Sequence, residues 1–126
     1  MGTFNTKIEI GDPSGSRWEV VEALVDTGAT YTSIPVSVLA RLGVSRGDRL
    51  TFIQADGNKY ERDTGETKAR INGKTVTTIV IFAEEDAPAL LGAYTLEGLL
   101  LAPDPVNARL VPVPGYLVSQ WPAQPD

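Results

Sequence analysis

Apolar and polar positions alternate with a period of two along most of the chain, the pattern of strands that bury one face. Phe4, Thr6, Ile8 and Ile10 alternate with polar neighbours. After the turn cluster Gly11-Asp12-Pro13-Ser14-Gly15, a strand returns from Arg17 to Val25. Arg49 to Ala55 and Lys59 to Ile71 read as the arms of a hairpin with its tip at Asp56-Gly57-Asn58. A bulge or kink is expected at Asp63-Thr64-Gly65 in the second arm. Asn72-Gly73 is a two-residue hairpin turn leading into Thr75 to Ala83, a stretch rich in Thr, Val and Ile. Ala89-Leu90-Leu91-Gly92 is a short apolar strand, and Ala108 to Val113 is the last.

Helical spacing appears only twice. One short helix opens at Ile34-Pro35, carries Val38, Leu39 and Leu42 on one stripe, and stops at Gly43. The other runs from Tyr94 to Leu100 and is expected to be broken by Pro103-Asp104-Pro105. The reading is an all-β fold, a small closed barrel-like sheet with one or two short helices. It forms one domain over residues 1–113, with a tail over 114–126, extended or disordered, that holds Pro114, Pro122 and Pro125.

Composition changes this picture chiefly by exclusion. With 126 residues, 42% apolar and 21% charged, the chain is of ordinary globular make-up and long enough for a modest core. The net charge of −5 comes without a Lys/Arg cluster, so neither nucleic acid nor an anionic membrane is an expected partner. There is no cysteine and no histidine, which removes disulfides, thiol nucleophiles, Cys/His zinc sites and every His-based triad. Acid–base chemistry then falls to carboxylates, Lys or Tyr.

The N-terminus has no signal-peptide core and no run reaches membrane-spanning length, so the cytoplasm is the expected compartment. Gly2 and Thr6 fit a loose myristoylation pattern, although the plain reading there is the start of a strand. Glu84-Glu85-Asp86 reads as a solvated loop, and neither a metal nor a cofactor is expected. Trp18 and Trp121 read as core or docking residues.

The tripeptide Asp-Thr-Gly occurs twice, in opposite settings. Asp63-Thr64-Gly65 lies among Glu61, Arg62, Glu66 and Lys68, where a carboxylate is easily accommodated and reads as a surface feature. Asp26-Thr27-Gly28 follows the apolar run Ala23-Leu24-Val25, where a carboxylate is costly. An aspartate there can also serve a turn by accepting backbone N–H groups. The apolar lead-in makes Asp26 the better candidate for function.

Three ordered blocks carry a family resemblance: Leu24-Val25-Asp26-Thr27-Gly28-Ala29, the hairpin about Asp56-Gly57-Asn58, and Leu90-Leu91-Gly92 followed by a helix. Together they resemble the retropepsin-like aspartic proteases, the cellular and prokaryotic members more than the viral ones. The resemblance implies an aspartic endopeptidase with Asp26 as catalytic residue, Thr27 and Gly28 holding its loop, and Leu91 and Gly92 packing behind it. It also implies that Ala29 lines the groove and that the hairpin at Asp56 and Gly57 closes over an extended polypeptide substrate.

The chemistry needs two carboxylates and the chain offers one. The resemblance therefore implies a homodimer about a two-fold axis, with Phe4 to Ile10 and Ala108 to Val113 as interface candidates. The best-known viral members pair an acid after the first block with an Arg after the second. Thr30 and Ala93 stand there and form no ion pair. Tyr31 either lines the groove or packs beside it. The alternative function is a non-catalytic dimerisation or peptide-binding module on the same fold.

Overall fold

A computed structural model describes residues 3–117; Gly2, Trp121 and the tail beyond Leu117 lie outside them. The strands are β1 (Asn5–Gly11), β2 (Trp18–Val25), β3 (Thr32–Pro35), β4 (Arg49–Ile53), β5 (Lys59–Ile71), β6 (Lys74–Ala83), β7 (Ala89–Leu91), β8 (Leu101–Asp104) and β9 (Arg109–Pro112). The helices are α1 (Val36–Arg41) and α2 (Ala93–Leu99). Six strands run in the order β1-β2-β7-β3-β6-β5, and β5 returns to β1, so the sheet closes on itself. The fold is the all-β, barrel-like one the alternation implied.

Alternation fixes which face of each strand enters the barrel. Ile8 and Ile10 of β1, Ala23 and Val25 of β2, Ala69 and Ile71 of β5, and Val80 and Phe82 of β6 are buried together with Ile34, Leu39, Leu91, Leu96 and Leu99. The Asn72-Gly73 turn has positive φ at both residues, 53° and 80°. That is the two-residue geometry whose twist matches its flanking strands, and it sets Ile71 opposite Lys74.

Three sequence expectations need correction. Thr32 to Pro35 is a strand, not the opening of a helix: it runs parallel to β6, Thr32 beside Val80 and Pro35 beside Ala83, and the helix begins only at Val36. Pro103 is not what ends the second helix: α2 stops at Leu99, with Leu100 left-handed, and the chain is already a strand at Pro103. Pro103 lies within β8, opposite Leu110, because a two-stranded ribbon leaves β8 an edge that needs no N–H. Nor is there a bulge at Asp63-Thr64-Gly65. The register is unbroken, and the strand instead changes partner there, pairing with β4 up to Asp63 and with β6 from Thr64. The arm therefore leaves the barrel at the second Asp-Thr-Gly.

The first turn shows how acid will act on the fold. The Asp12 carboxylate accepts from the Ser14 hydroxyl at 2.6 Å and from the backbone N–H groups of Ser16 and Arg17 at 2.7 and 2.8 Å. The Ser14 bond first, then the Arg17 N–H, hold its pKa at about 2 against an ordinary 3.8. Arg70 lowers Glu9, Arg41 lowers Glu19, and Ser37 lowers Glu85 in the same direction. A carboxylate depressed in the folded state adds stability that is whole above its unfolded pKa and is lost as pH falls through the folded one. Thermal unfolding followed against pH is expected to give a flat midpoint above about pH 5 and a steady fall below about pH 4. A midpoint that rises on acidification would contradict this.

Candidate active site

The end of β2 delivers Asp26 to a loop that is clamped from behind. Asp26 donates its N–H to the Leu91 carbonyl at 3.0 Å, beside the parallel pairing of β2 with β7. Its carbonyl accepts from Ala29 N–H at 3.1 Å, and its Oδ1 accepts from Gly28 N–H at 3.0 Å. The turn role that sequence allowed for Asp26 is therefore real, but it uses one oxygen. Among the described residues Oδ2 has no hydrogen-bond partner. A Cβ on residue 28 would stand 3.2 Å from Oδ1, so Gly28 lets the chain fold closely around the carboxylate. Asp26 is half-buried, and Thr27 and Gly28 are exposed.

The second block completes the clamp. Ala93 N–H donates to the Ala29 carbonyl at 2.8 Å and Tyr94 N–H to the Thr30 carbonyl at 2.9 Å. These bonds join the two segments where Thr30 and Ala93 offer no ion pair. Gly92 is buried beneath them, and a Cβ there would meet the Tyr31 carbonyl group at 2.6 Å and the Ala29 oxygen at 2.9 Å. Leu91 is fully buried in the core.

Below the clamp lies a threonine network that sequence reasoning missed. Thr95 Oγ1 is 2.6 Å from Thr32 Oγ1 and 2.8 Å from Thr78 Oγ1, and Thr32 Oγ1 accepts from Gly92 N–H at 3.1 Å. All three threonines are almost wholly buried. The signal was the alternation itself: Thr32 shares a face with Ile34, and Thr78 with Val80 and Phe82, so each takes a core position. Thr95→Val removes the shared hydroxyl and leaves Thr78 and Thr32 short of a partner. The expected cost is about 1–3 kcal/mol, read as a lower midpoint in urea with an unchanged slope.

Beside the Asp26 loop a groove of about 740 Å³ runs from Gly28 and Ala29 past Tyr31, Phe52, Tyr60 and Ile81 to Leu90. The β4–β5 hairpin forms one wall. Tyr31 both lines the groove and packs, edge-on to Phe52 at 6.2 Å and to Tyr94 at 5.5 Å between ring centres. The wall comes from Thr51 to Gln54, Tyr60 and Arg62, not from the tip. At the tip, Gly57 has φ +84° and the Asp56 carboxylate accepts from the N–H and side-chain amide of Asn58.

The second Asp-Thr-Gly anchors the hairpin root. Arg46 and Arg49 bond Asp63 at 2.6 and 2.9 Å, and the Arg46 bond, then that of Arg49, holds its carboxyl below the usual range. Thr64 Oγ1 donates to the Asp48 carbonyl. Among the described residues no three His, Cys, Asp or Glu side chains converge as a metal site, and no helix is long and apolar enough to cross a membrane.

Comparison with known proteins agrees with this geometry. Residues 18–98, about two thirds of the chain, match the family described as gag-polyprotein putative aspartyl protease. The chain belongs to that retropepsin-like family. None of the curated proteins matches it. Among solved structures, EIAV protease, determined with the inhibitor HBY-793, aligns with TM-score 0.56 at 20% identity, over 85% of this chain and 90% of that one. Simian foamy virus (mac) protease aligns with TM-score 0.53 at 20% identity, over 79% and 99%. The retroviral protease-like domain of Ddi1 from Leishmania major aligns with TM-score 0.56 at 18% identity, over 88% of each chain. These likenesses establish a retropepsin fold shared by viral and cellular members.

Proposed function

We propose that the chain is a homodimeric aspartic endopeptidase whose two Asp26 carboxylates, one from each subunit, hydrolyse a peptide bond. One observation carries the reading. The half-buried Asp26 is held by backbone bonds, with one carboxylate oxygen unengaged, on a loop whose next residues, Gly28 and Ala29, line a groove. The other Asp-Thr-Gly is committed to two arginines and cannot supply the second carboxylate.

Two carboxylates brought together at a two-fold axis cannot both ionise, so the pair shares one proton, and its two pKa values belong to the pair. The ionised member takes a proton from a water, whose oxygen adds to the scissile carbonyl. The protonated member gives its proton to the carbonyl oxygen. Collapse of the tetrahedral adduct then breaks the C–N bond and passes a proton to the departing amine. Thr27 and Gly28 hold the loop, Ala29 lines the groove, Leu91 and Gly92 support it from behind, and the hairpin tip at Asp56 and Gly57 closes over an extended polypeptide.

The face around Thr27 supports dimerisation. A hollow of about 630 Å³ is walled by Thr27, Leu96, Leu100, Leu101, Val113 and Tyr116. Tyr116 and Leu117 beside it are almost fully exposed, apolar surface that a second subunit would cover. Of the two interface candidates, β1 pairs with β2 along its length and with β5 at Glu9 to Gly11, so its edges are largely occupied. The β8–β9 ribbon is a separate two-stranded sheet, held to the core by Leu101 and Leu110, with its strand edges unpaired by the barrel, and is the better candidate. The assignment is tested by incubating the protein with an unfolded polypeptide from about pH 3 to 8, the range in which a carboxylate dyad holds one proton. Fragments are read by mass spectrometry and subunit mass by light scattering. A folded dimer that cleaves nothing at any pH would leave a binding module on this fold.

A further inference from the structure

The groove carries charge at one place. Of the described residues that line it, Arg62 and Glu84 alone are charged. The Arg62 guanidinium lies 5.4 Å from the centre of the Tyr60 ring, and its Nη1 donates to the Glu61 carbonyl at 2.9 Å. Its Nη2 reaches Glu84 Oε2 at 3.4 Å. Ring and backbone thus orient the cation, while its carboxylate partner is distant and 70% exposed. A long, exposed ion pair contributes little, so a second carboxylate can replace Glu84 at small cost. The neighbouring Arg46 and Arg49 are both engaged with Asp63 and line neither cavity.

We propose that Arg62 is a specificity-determining residue of the groove, reading an acidic side chain of the bound peptide, with Glu84 as the internal carboxylate which that side chain displaces. The proposal rests on the peptidase reading of the groove and adds a substrate class to it. A net charge of −5 repels acidic peptides at long range. A fixed guanidinium inside a largely apolar wall is what turns that repulsion into a short-range, position-specific preference. Tyr31, Phe52, Ile81 and Leu90 then receive an apolar side chain beside it.

The test is a degenerate peptide library digested by wild type, Arg62→Gln and Glu84→Gln, with cleavage sites read by mass spectrometry. Wild type is expected to favour Asp or Glu at one fixed distance from the scissile bond, by about tenfold, the scale of one charge-assisted hydrogen bond. Arg62→Gln abolishes the preference, and Glu84→Gln, in an exposed loop, strengthens it. Cleavage with no acidic position, or with one unchanged in Arg62→Gln, overturns the proposal and leaves the peptidase intact. A second arm retains the same library on Asp26→Asn protein, with and without Arg62→Gln, and reads binding without turnover. If wild type cleaves nothing but this arm retains acidic peptides only when Arg62 is present, the peptidase reading falls and the role of Arg62 stands. Retention that ignores peptide charge overturns that role.

Discussion

Asp26→Asn is expected to remove peptide cleavage, by at least about a thousandfold, from a protein that still folds and dimerises. Asparagine keeps an oxygen for the bond from Gly28 N–H at 3.0 Å, so the loop retains its shape. It cannot ionise or share a proton, so neither water activation nor protonation of the carbonyl oxygen survives. Asp63→Asn is the matched control, since it changes the same tripeptide in the other place. It loosens the bonds of Arg46 and Arg49 at the hairpin root but leaves the Asp26 loop untouched, and activity is expected to fall by about tenfold at most. Initial rates on one polypeptide substrate, with thermal unfolding of each variant as the folding control, decide the matter. Equal losses in the two variants would remove the distinction between the two copies.

Gly92→Ala is expected to have the largest effect on stability. The added methyl would stand 2.6 Å from the Tyr31 carbonyl carbon and oxygen and 2.9 Å from the Ala29 oxygen. Those are backbone atoms, held by the bonds of Ala93 and Tyr94 to the same segment, so no side chain can rotate away. Either the clamp opens or the loop moves. The expected cost is about 3 kcal/mol, or a melting midpoint about 10 °C lower, with activity reduced even where the protein remains folded because Asp26 rides on the displaced loop. Gly57→Ala, at the open hairpin tip where a Cβ meets nothing within 4 Å, is the contrast. It carries only the strain of its positive φ and is expected to leave the barrel's midpoint much closer to wild type.

What could be read from the sequence was local. Alternation located β1, β2, β5 and β6 because each buries one face, and Asn72-Gly73 located a turn because its φ values suit few other residues. Asp26-Thr27-Gly28 and Leu90-Leu91-Gly92 could be read because each is contiguous. β3 was missed because four residues are too few to show a period and Pro35 suggested a helix start. β8 was missed because Pro103 argues against a strand unless the strand has a free edge, and edges are a property of the assembled sheet.

The groove wall was hidden for the same reason. Tyr31 was a candidate, but Phe52, Tyr60, Arg62 and Glu84 come from three further stretches and meet it only when the hairpin folds over the barrel. Asp63 was read correctly as a residue among charges, but its two arginine partners, 14 and 17 residues upstream, make it an anchor for the hairpin rather than a bystander.

The shared dyad itself is tested most directly by mixing subunits. Wild type and Asp26→Asn are refolded together in varied proportions at constant total protein, and the rate on one substrate is measured. If each active centre needs an ionisable Asp26 from both chains, mixed dimers are inactive and the rate follows the square of the wild-type fraction, about a quarter of the full rate in an equal mixture. A rate that falls in direct proportion, to about half, would mean that each Asp26 acts independently, and one of about three quarters that a single Asp26 suffices in a dimer; either would contradict the account.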